Sequence, residues 1–177
     1  MATHLIVDGY NVLGARGQVG QVGRAGSGDD SARERLLRDL TAYRQRKGHP
    51  ITVVFDGWFQ GGDTERHEHR SGIEVVYSRR GEKADQVIQR LAEEFGRDCA
   101  VVSSDREVAD FAKGRGAFVI GAAEFESRLR AVPPVTPQAS FKPIDREEEL
   151  PKRVEKKGNA RKLPKALRKR NRQLRGF

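Results

Sequence analysis

The stretch His4-Leu5-Ile6-Val7-Asp8-Gly9-Tyr10-Asn11 decides the fold of this 177-residue chain. Its residues 5–7 are continuously apolar instead of alternating, which is typical of a strand covered on both faces of a sheet. The strand ends in the carboxylate of Asp8, and a glycine follows at once. A buried strand that delivers an acid to the rim of a sheet is a common beginning of a metal site. The function therefore depends on what else lies at that rim.

Outward from this strand, the hydrophobic pattern predicts four more strands, over residues 51–56, 73–77, 99–103 and 117–120. It also predicts four helices: one opened by a Ser31–Glu34 capping box and ended by Gly48, one over 84–95, one opened by a Ser104–Glu107 capping box, and one over 124–130. Residues 14–28, with six glycines, and residues 57–72 are expected to be loops. Strands that alternate with helices predict an open, mainly parallel α/β sheet of about five strands.

The net charge of +9 lies entirely in the C-terminal part of the chain. Residues 142–177 contain 14 Lys and Arg against 5 Asp and Glu, whereas residues 1–141 contain 20 of each. We therefore divide the chain into a folded domain over 1–131, a proline-rich and then acidic linker over 132–150, and a polybasic tail over 151–177 that is expected to be disordered. Basic tails bind nucleic acid, and the tail residues expected to contact RNA are Lys165, Arg168, Lys169, Arg170 and Arg172.

Several classes of protein do not fit the composition. No run approaches the roughly 18 apolar residues of a membrane span, and the first residues do not resemble a signal peptide. The single cysteine, Cys99, lies in an apolar run and excludes a disulfide within the chain, which suits the cytoplasm. The glycine spacing over 14–20 does not match a dinucleotide fingerprint, so no nucleotide cofactor is expected.

Acidic residues stand where the predicted strands end. Asp8, Asp56 and Asp105 follow three of the strands, and Asp85 opens a helix. A single aspartate at such a place is usually a turn former or complements the helix dipole. Several acids that converge at one edge repel one another unless a cation neutralises them, and carboxylates suit Mg²⁺ or Mn²⁺. The pattern therefore favours a metal site.

Four short motifs resemble those of a known family. They are, in chain order, Val7-Asp8-Gly9-Tyr10-Asn11, Val53-Val54-Phe55-Asp56-Gly57, Ala84-Asp85-Gln86-Val87-Ile88 and Val101-Val102-Ser103-Ser104-Asp105. Together they are similar to the NYN branch of PIN-like ribonucleases, and within it to the bacterial YacP-like family, over about residues 4–130. The resemblance implies a PIN-like, Rossmann-like three-layer fold and an acidic pocket for Mg²⁺ or Mn²⁺. It also implies endoribonuclease activity, in some members on messenger RNA at the ribosome.

The resemblance also implies roles for individual residues. Asp8, Asp85 and Asp105 would be the catalytic acids that hold the metal, and Asn11 would orient Asp8 or a water. The auxiliary residues would be Asp56, Glu82 and Ser104. Basic residues just ahead of Asp85 would hold the phosphates that flank the scissile one, and these are Arg79, Arg80 and Lys83. The polybasic tail lies outside the part of the chain that resembles the family.

Three other functions remain open on the sequence. A non-catalytic RNA-binding or ribosome-binding protein could keep the fold and the tail without cutting. An aspartyl-phosphate phosphatase is disfavoured because such enzymes generally need a second acid two residues after the first, where this chain has Tyr10. A toxin-like nuclease of the wider PIN group, acting on transfer RNA, fits the same chemistry but lacks a reason for the long basic tail.

Overall fold

The structure, a computed structural model, describes residues 3–17, 27–57 and 63–131. Six strands are found there: β1 (His4–Asp8), β2 (Ile51–Phe55), β3 (Arg66–Arg70), β4 (Ile73–Tyr77), β5 (Cys99–Val102) and β6 (Phe118–Ile120). The same residues contain five α-helices: α1 (Gly9–Ala15), α2 (Ser27–Lys47), α3 (Ala84–Phe95), α4 (Arg106–Gly114) and α5 (Ala122–Arg130). A short 3₁₀ turn, Gly96–Asp98, joins α3 to β5.

The strands form one sheet in the order β3-β4-β2-β1-β5-β6. Every neighbouring pair is parallel except β3 and β4, which form an antiparallel hairpin. Helices α1, α2 and α5 contact one another, and α3 contacts α4. Because parallel crossovers are right-handed, the two groups cover opposite faces of the sheet. This is the three-layer α/β fold that the sequence predicts.

The core follows from the continuous apolar strands. Residues Leu5, Ile6 and Val7 of β1 are completely buried, as the central position of β1 requires. The predicted inner face of α2 is confirmed, since Leu36, Leu40 and Tyr43 are all buried. The Tyr43 ring meets the ring of Phe125 from α5 edge to face, with ring centroids 5.4 Å apart. The α2 and α5 helices are thereby packed together on one face of the sheet.

One strand lies where the sequence predicts a loop. Strand β3 has the sequence Arg-His-Glu-His-Arg, without any apolar residue, and most of its residues are exposed. Periodicity of apolar residues cannot reveal such a strand, because its stability comes from the backbone ladder to β4. A charged strand at the end of a sheet also discourages edge-to-edge association with another chain. The prediction of a loop over 57–72 is therefore wrong for residues 66–70.

Two helix starts also differ from prediction. Helix α1 begins directly after β1, at Gly9, where no helix is predicted; the Asp8 side chain caps it by accepting a hydrogen bond from the backbone N of Asn11. Helix α2 begins at Ser27, so the Ser31–Glu34 pair lies inside the helix and is not its capping box. A serine followed three residues later by a glutamate marks the start of a helix only when the residues before the serine are not helical themselves.

Several predictions fall outside the described residues. The linker over 132–150, the polybasic tail over 151–177 and the five RNA-contact residues of that tail all lie there. The glycine-rich segment is described only in part, as residues 14–17 and 27–28. In the portion of the chain that the structure describes, no helix has the length and apolar character needed to cross a membrane.

Candidate active site

The sheet has a point at which its connections diverge. From β1 the chain moves to β2 and β4 on one side, and from β4 it returns through α3 to β5 on the other side of β1. Such a switch point opens a crevice beyond the carboxyl ends of the two strands that flank it, here β1 and β5, where ligands bind in α/β sheets. Here β1 ends in Asp8 and β5 is followed by Ser103, Ser104 and Asp105.

Asp8 is the most enclosed acid of this rim, with only 4% of its surface exposed. Its two carboxylate oxygens accept hydrogen bonds from Asn11, one from the backbone N at 3.1 Å and one from Nδ2 at 3.0 Å. The Ser103 hydroxyl donates a third, at 3.1 Å. Burial raises the pKa of Asp8 above its ordinary value and the charge of Asp85 adds to this, while the hydrogen bonds from Asn11 and Ser103 act in the opposite direction.

Asn11 connects the end of β1 with the segment that follows β5. While its Nδ2 donates to Asp8, its Oδ1 accepts a hydrogen bond of 3.1 Å from the backbone N of Ser104. These two contacts fix both the rotamer and the O/N orientation of the amide. The side chain therefore holds the end of β1 against the segment that follows β5.

Ser103 is a site residue that the sequence reasoning missed. It is buried, donates to Asp8 and accepts a hydrogen bond of 3.1 Å from the backbone N of Asp105. One hydroxyl thus links the acid after β1 to the acid after β5. A signal for it existed in the sequence, since a serine directly after a buried strand occupies the same rim as Asp8.

Asp105 is exposed and caps helix α4. Its Oδ1 accepts from the backbone N of Glu107 at 2.8 Å and from that of Val108 at 3.2 Å. The predicted Ser104–Glu107 capping box is therefore wrong by one residue, because the hydroxyl of Ser104 accepts instead from the backbone N of Ala122 at 3.0 Å. Asp105 keeps a second carboxylate oxygen, Oδ2, apart from the capping contacts.

Asp85 lies in the first turn of α3 and is half-buried. Burial raises its pKa, and the negative charge of Asp105 raises it further, with smaller contributions from Glu107 and Asp56; Lys83 acts in the opposite direction. Together with the effect of Asp85 on Asp8, this places the four predicted acids in one electrostatic field. Such mutual repulsion is what a bound cation would relieve.

The remaining predicted residues lie in the segment ahead of α3 and in the segment after β5. Glu82 is buried and forms ion pairs with Arg90 at 3.0 Å and with Arg79 at 3.4 Å, so it holds the segment ahead of α3. Ser104 ties β5 to the start of α5 through its contact with Ala122. Arg80 and Lys83 are exposed, and the charge of Lys83 acts on Asp85.

Two glycines allow the strand ends to come close. A Cβ at Gly9 would overlap the ring of Phe55, and a Cβ at Gly57 would overlap the carbonyl oxygen of Ser78. The backbone N of Gly57 donates a hydrogen bond of 3.0 Å to Ser78 Oγ. The repeated Asp-Gly pattern after β1 and β2 is thus a packing requirement of this rim.

The fit to a divalent cation rests on the donor set. Among the side chains that the structure describes, no three acidic, histidine or cysteine groups are close enough together to form a preassembled metal site. Carboxylate oxygens nevertheless suit Mg²⁺, which keeps several waters and needs only one or two protein carboxylates. Asp8, Asp85 and Asp105 provide such oxygens around one crevice, so their chemistry fits.

Comparison with known proteins agrees with this fold. The sequence model of the YacP-like NYN domain matches residues 5–173. A protein of Bacillus subtilis (strain 168), described as the uncharacterized protein YacP, is 34% identical over 90 residues, which are 50% of this chain and 51% of that protein. The match therefore spans about half the length of this curated relative. The family match corrects one expectation, because it runs far beyond residue 130 and takes in most of the basic segment.

Two solved structures are similar to this chain, both of Rae1 (YacP) from Bacillus subtilis. A point mutant gives a TM-score of 0.60 at 29% identity, over 75% of this chain and 77% of that chain. The other structure gives 0.58 at 29% identity, over 73% and 74%.

Proposed function

The chain belongs to the YacP-like NYN domain family, and from that premise we propose that it is a metal-dependent endoribonuclease that hydrolyses RNA phosphodiester bonds. The observation that carries the proposal is geometric: Asp8 and Asp105 follow the neighbouring strands β1 and β5 at the switch point of the sheet, and the Ser103 hydroxyl links them. In addition, the charge of Asp85 raises the pKa of Asp8 and the charge of Asp105 raises the pKa of Asp85. Acids with a raised pKa at the place where α/β sheets bind ligands are typical of a functional site.

The proposed cofactor is Mg²⁺ or Mn²⁺, held by Asp8, Asp85 and Asp105. When bound, such a cation polarises a phosphoryl oxygen and increases the acidity of an attacking water. Asn11 and Ser103 hold the carboxylate of Asp8 in one orientation through three hydrogen bonds. In the proposed reaction, the oxygen of the attacking water bonds to phosphorus while the bond from phosphorus to the 3′ oxygen breaks. A carboxylate of the rim takes the proton of the water, and the leaving 3′ oxygen takes a proton from solvent.

RNA is the proposed substrate because basic residues flank the acids. Arg79, Arg80 and Lys83 are exposed in the segment ahead of Asp85, and they are proposed to hold phosphates on either side of the scissile one. The tail residues, 151–177, are proposed to add sequence-independent attraction to RNA, and the ribosome is a proposed partner on the family resemblance. With an RNA substrate and a single buried cysteine, a cytoplasmic location is proposed.

A direct test is cleavage of end-labelled RNA by the purified full chain in Mn²⁺, with and without ribosomes. The Asp8→Asn and Asp105→Asn proteins should lose metal-dependent cleavage and keep the fold. The matched control is Asp110→Asn, since Asp110 is an exposed acid on the helix that Asp105 caps and it pairs with Lys113 of the same helix. Undiminished cleavage by the Asp105→Asn protein would overturn the assignment.

A second candidate is an RNA-binding or ribosome-binding protein of the same fold that does not cut. It is favoured by one observation, that no three described acids form a preassembled cluster. The same assay separates the two functions, because a binding protein would retain RNA or ribosomes in Mn²⁺ without producing fragments. It would also bind equally well after Asp8→Asn.

A further inference from the structure

A second recess lies away from the acids, between α2 and the β3–β4 hairpin. It encloses about 300 Å³, and its lining includes Asp30, Arg33 and Glu34 of α2, Arg66, Glu68 and Arg70 of β3, and Tyr77 of β4. This volume is at the lower end of those of small-molecule sites. None of these residues takes part in the acid rim or its hydrogen bonds.

The walls of the recess are arginines and carboxylates held against each other. Glu68 accepts from Arg66 at 2.5 Å and from Arg70 at 3.0 Å, and Glu34 pairs with Arg70. These contacts use two of the five N–H donors of Arg70 and one oxygen of Glu34. The ion pair therefore orients the Arg70 guanidinium and the Glu34 carboxylate, and each group can still form hydrogen bonds to a ligand.

One aromatic residue, Tyr77, lines the recess and begins a series of ring contacts that leads towards the acid rim. The guanidinium of Arg66 lies over the Tyr77 ring, and Tyr77 stacks on Phe55 with 5.8 Å between ring centroids. The Phe55 ring in turn meets Tyr10, which lies two residues after Asp8. Since β4 and β3 are two and three strands from β1, and strands are about 4.8 Å apart, the recess lies roughly 10 to 14 Å from β1 across the sheet.

We propose that this recess is a subsite for one unpaired RNA base next to the cleavage position, with a preference for guanine; the inference rests on the endoribonuclease function proposed above. The base stacks on the exposed guanidinium plane of Arg66, as unpaired bases do on arginine. Glu34 accepts from the adjacent N1–H and N2–H₂ donors of the base, and Arg70 donates to its O6 and N7.

The mixture of arginines and carboxylates in the recess favours a ligand that is uncharged, polar at its edges and aromatic. A free phosphate would face three carboxylates, those of Asp30, Glu34 and Glu68, together with the arginines. An apolar ligand would leave the ion pairs desolvated and poorly paired. A base offers a π face together with donors and acceptors on its edges, and guanine is the base that presents two neighbouring donors to a carboxylate.

The test measures binding without cleavage. The full chain carrying Asp105→Asn is titrated into single-stranded adenine hexamers that contain one guanine, and into the all-adenine hexamer, with fluorescence anisotropy as the readout. We expect the guanine hexamer to bind about tenfold more tightly. Adding Glu34→Gln, or Arg70→Gln, should remove the difference. The matched control is Glu93→Gln, which alters another exposed glutamate that pairs with an arginine, Arg115.

Each outcome decides the proposal. Equal binding of the two hexamers, or a guanine preference that survives both Glu34→Gln and Arg70→Gln, overturns it. Thermal melting of every variant shows whether the fold is kept. Cleavage by the wild-type chain is scored separately. If RNA is bound with a guanine preference but is never cut, the endoribonuclease proposal fails and the subsite proposal stands. If RNA is cut but guanine is not preferred in binding, the subsite proposal fails and the endoribonuclease proposal stands.

Discussion

Asn11 donates both its backbone N–H and its side-chain N–H to Asp8, one to each carboxylate oxygen, at 3.1 and 3.0 Å. The same amide accepts the backbone N–H of Ser104 through its Oδ1. A single side chain thus sets the position of the acid after β1 relative to the segment after β5. Because β1 and β5 are neighbours in the sheet, this arrangement makes the geometry of the two strand ends interdependent.

Asn11→Ala is expected to reduce catalysis while leaving the fold intact. The substitution removes the donor to Asp8 and the acceptor for Ser104, and loss of a partner that orients a metal ligand typically costs about 10–100-fold in metal affinity or activity. The measurement is RNA cleavage as a function of Mn²⁺ concentration. Ser127→Ala is the control, because the Ser127 hydroxyl only donates to a carbonyl of its own helix. A Mn²⁺ dependence identical to that of the wild type would contradict the orienting role.

Asp85→Asn is expected to stabilise the metal-free protein at neutral pH. The pKa of Asp85 is raised in the folded state, chiefly by burial and then by Asp105, so the folded state favours the protonated form. Stability from this group is therefore present below its unfolded pKa and lost as the pH rises through the folded pKa. An uncharged amide avoids that loss. The gain should be up to about 1 kcal/mol, since the side chain is only half-buried and solvent screens its charge.

Thermal melting in EDTA and then in Mn²⁺ measures this effect. The variant should melt a few degrees above the wild type in EDTA, and the order should reverse or vanish in Mn²⁺, because only the wild type then gains a ligand contact at this position. Asp110→Asn, a change to an acid outside the rim, should leave both melting temperatures near those of the wild type. If Asp85→Asn melts at a lower temperature than the wild type in EDTA, the Asp85 carboxylate of the wild type is not repelled by the neighbouring acids.

The sequence predicts the positions of the acids better than it predicts the hydrogen bonds that orient them. Asp8 and Asp105 could be located because each follows a buried strand, and the carboxyl ends of parallel strands share one edge. The contacts of Ser103 with both acids, by contrast, depend on β1 and β5 being neighbours, which is a property of strand order. Local pattern also fails for β3, where the ladder to β4 compensates for the absence of apolar residues.

A buried ion pair joins three helices on the face opposite α3. Arg16, after α1, pairs with Glu126 of α5 at 2.7 Å and with Asp39 of α2 at 2.9 Å, and both Arg16 and Glu126 have less than a tenth of their side chains exposed. Glu126→Ala should destabilise the protein by about 3 kcal/mol, because it leaves a buried guanidinium with one partner. Urea unfolding measures it. The control is Glu93→Ala, which removes an exposed ion pair and should lower the free energy of unfolding by less than about 1 kcal/mol. If the two variants lose equal stability, the buried ion pair of Glu126 is not a special contributor to stability.

Gly9→Ala is expected to destabilise the rim, because the new methyl group would overlap the Phe55 ring. Overpacking of this kind costs about 1–3 kcal/mol. Phe55→Leu in the same chain should recover part of the loss, since the smaller side chain makes room. Gly114→Ala is the opposite case: Gly114 is the last residue of α4 and a Cβ there meets nothing within 4 Å, so the change should stabilise the protein by roughly 0.5 kcal/mol. Urea unfolding of the two single variants and the double variant shows whether the coupling exists.

His67 links the edge strand to its neighbours in a pH-dependent way. Its Nδ1 lies 3.0 Å from Glu74 of β4 and its Nε2 lies 2.7 Å from Glu65, which also pairs with Arg90 of α3. Hydrogen bonding to Glu74, together with Glu65, raises the pKa of His67, although burial acts in the opposite direction. Stability from the protonated imidazole is therefore complete below its unfolded pKa, about 6.5, and is lost as the pH rises through the raised folded pKa.

The measurement is the free energy of unfolding from pH 5 to 9 for the wild type and for His67→Gln. The wild type should exceed the variant by about 1 kcal/mol or less at low pH, because the pair is half-exposed, and the two should converge at high pH. His4 titrates in the opposite sense, since burial lowers its pKa. It is present in both proteins, so the difference between them isolates His67. A difference that is constant across this range would mean that the imidazole acts by packing and not by charge.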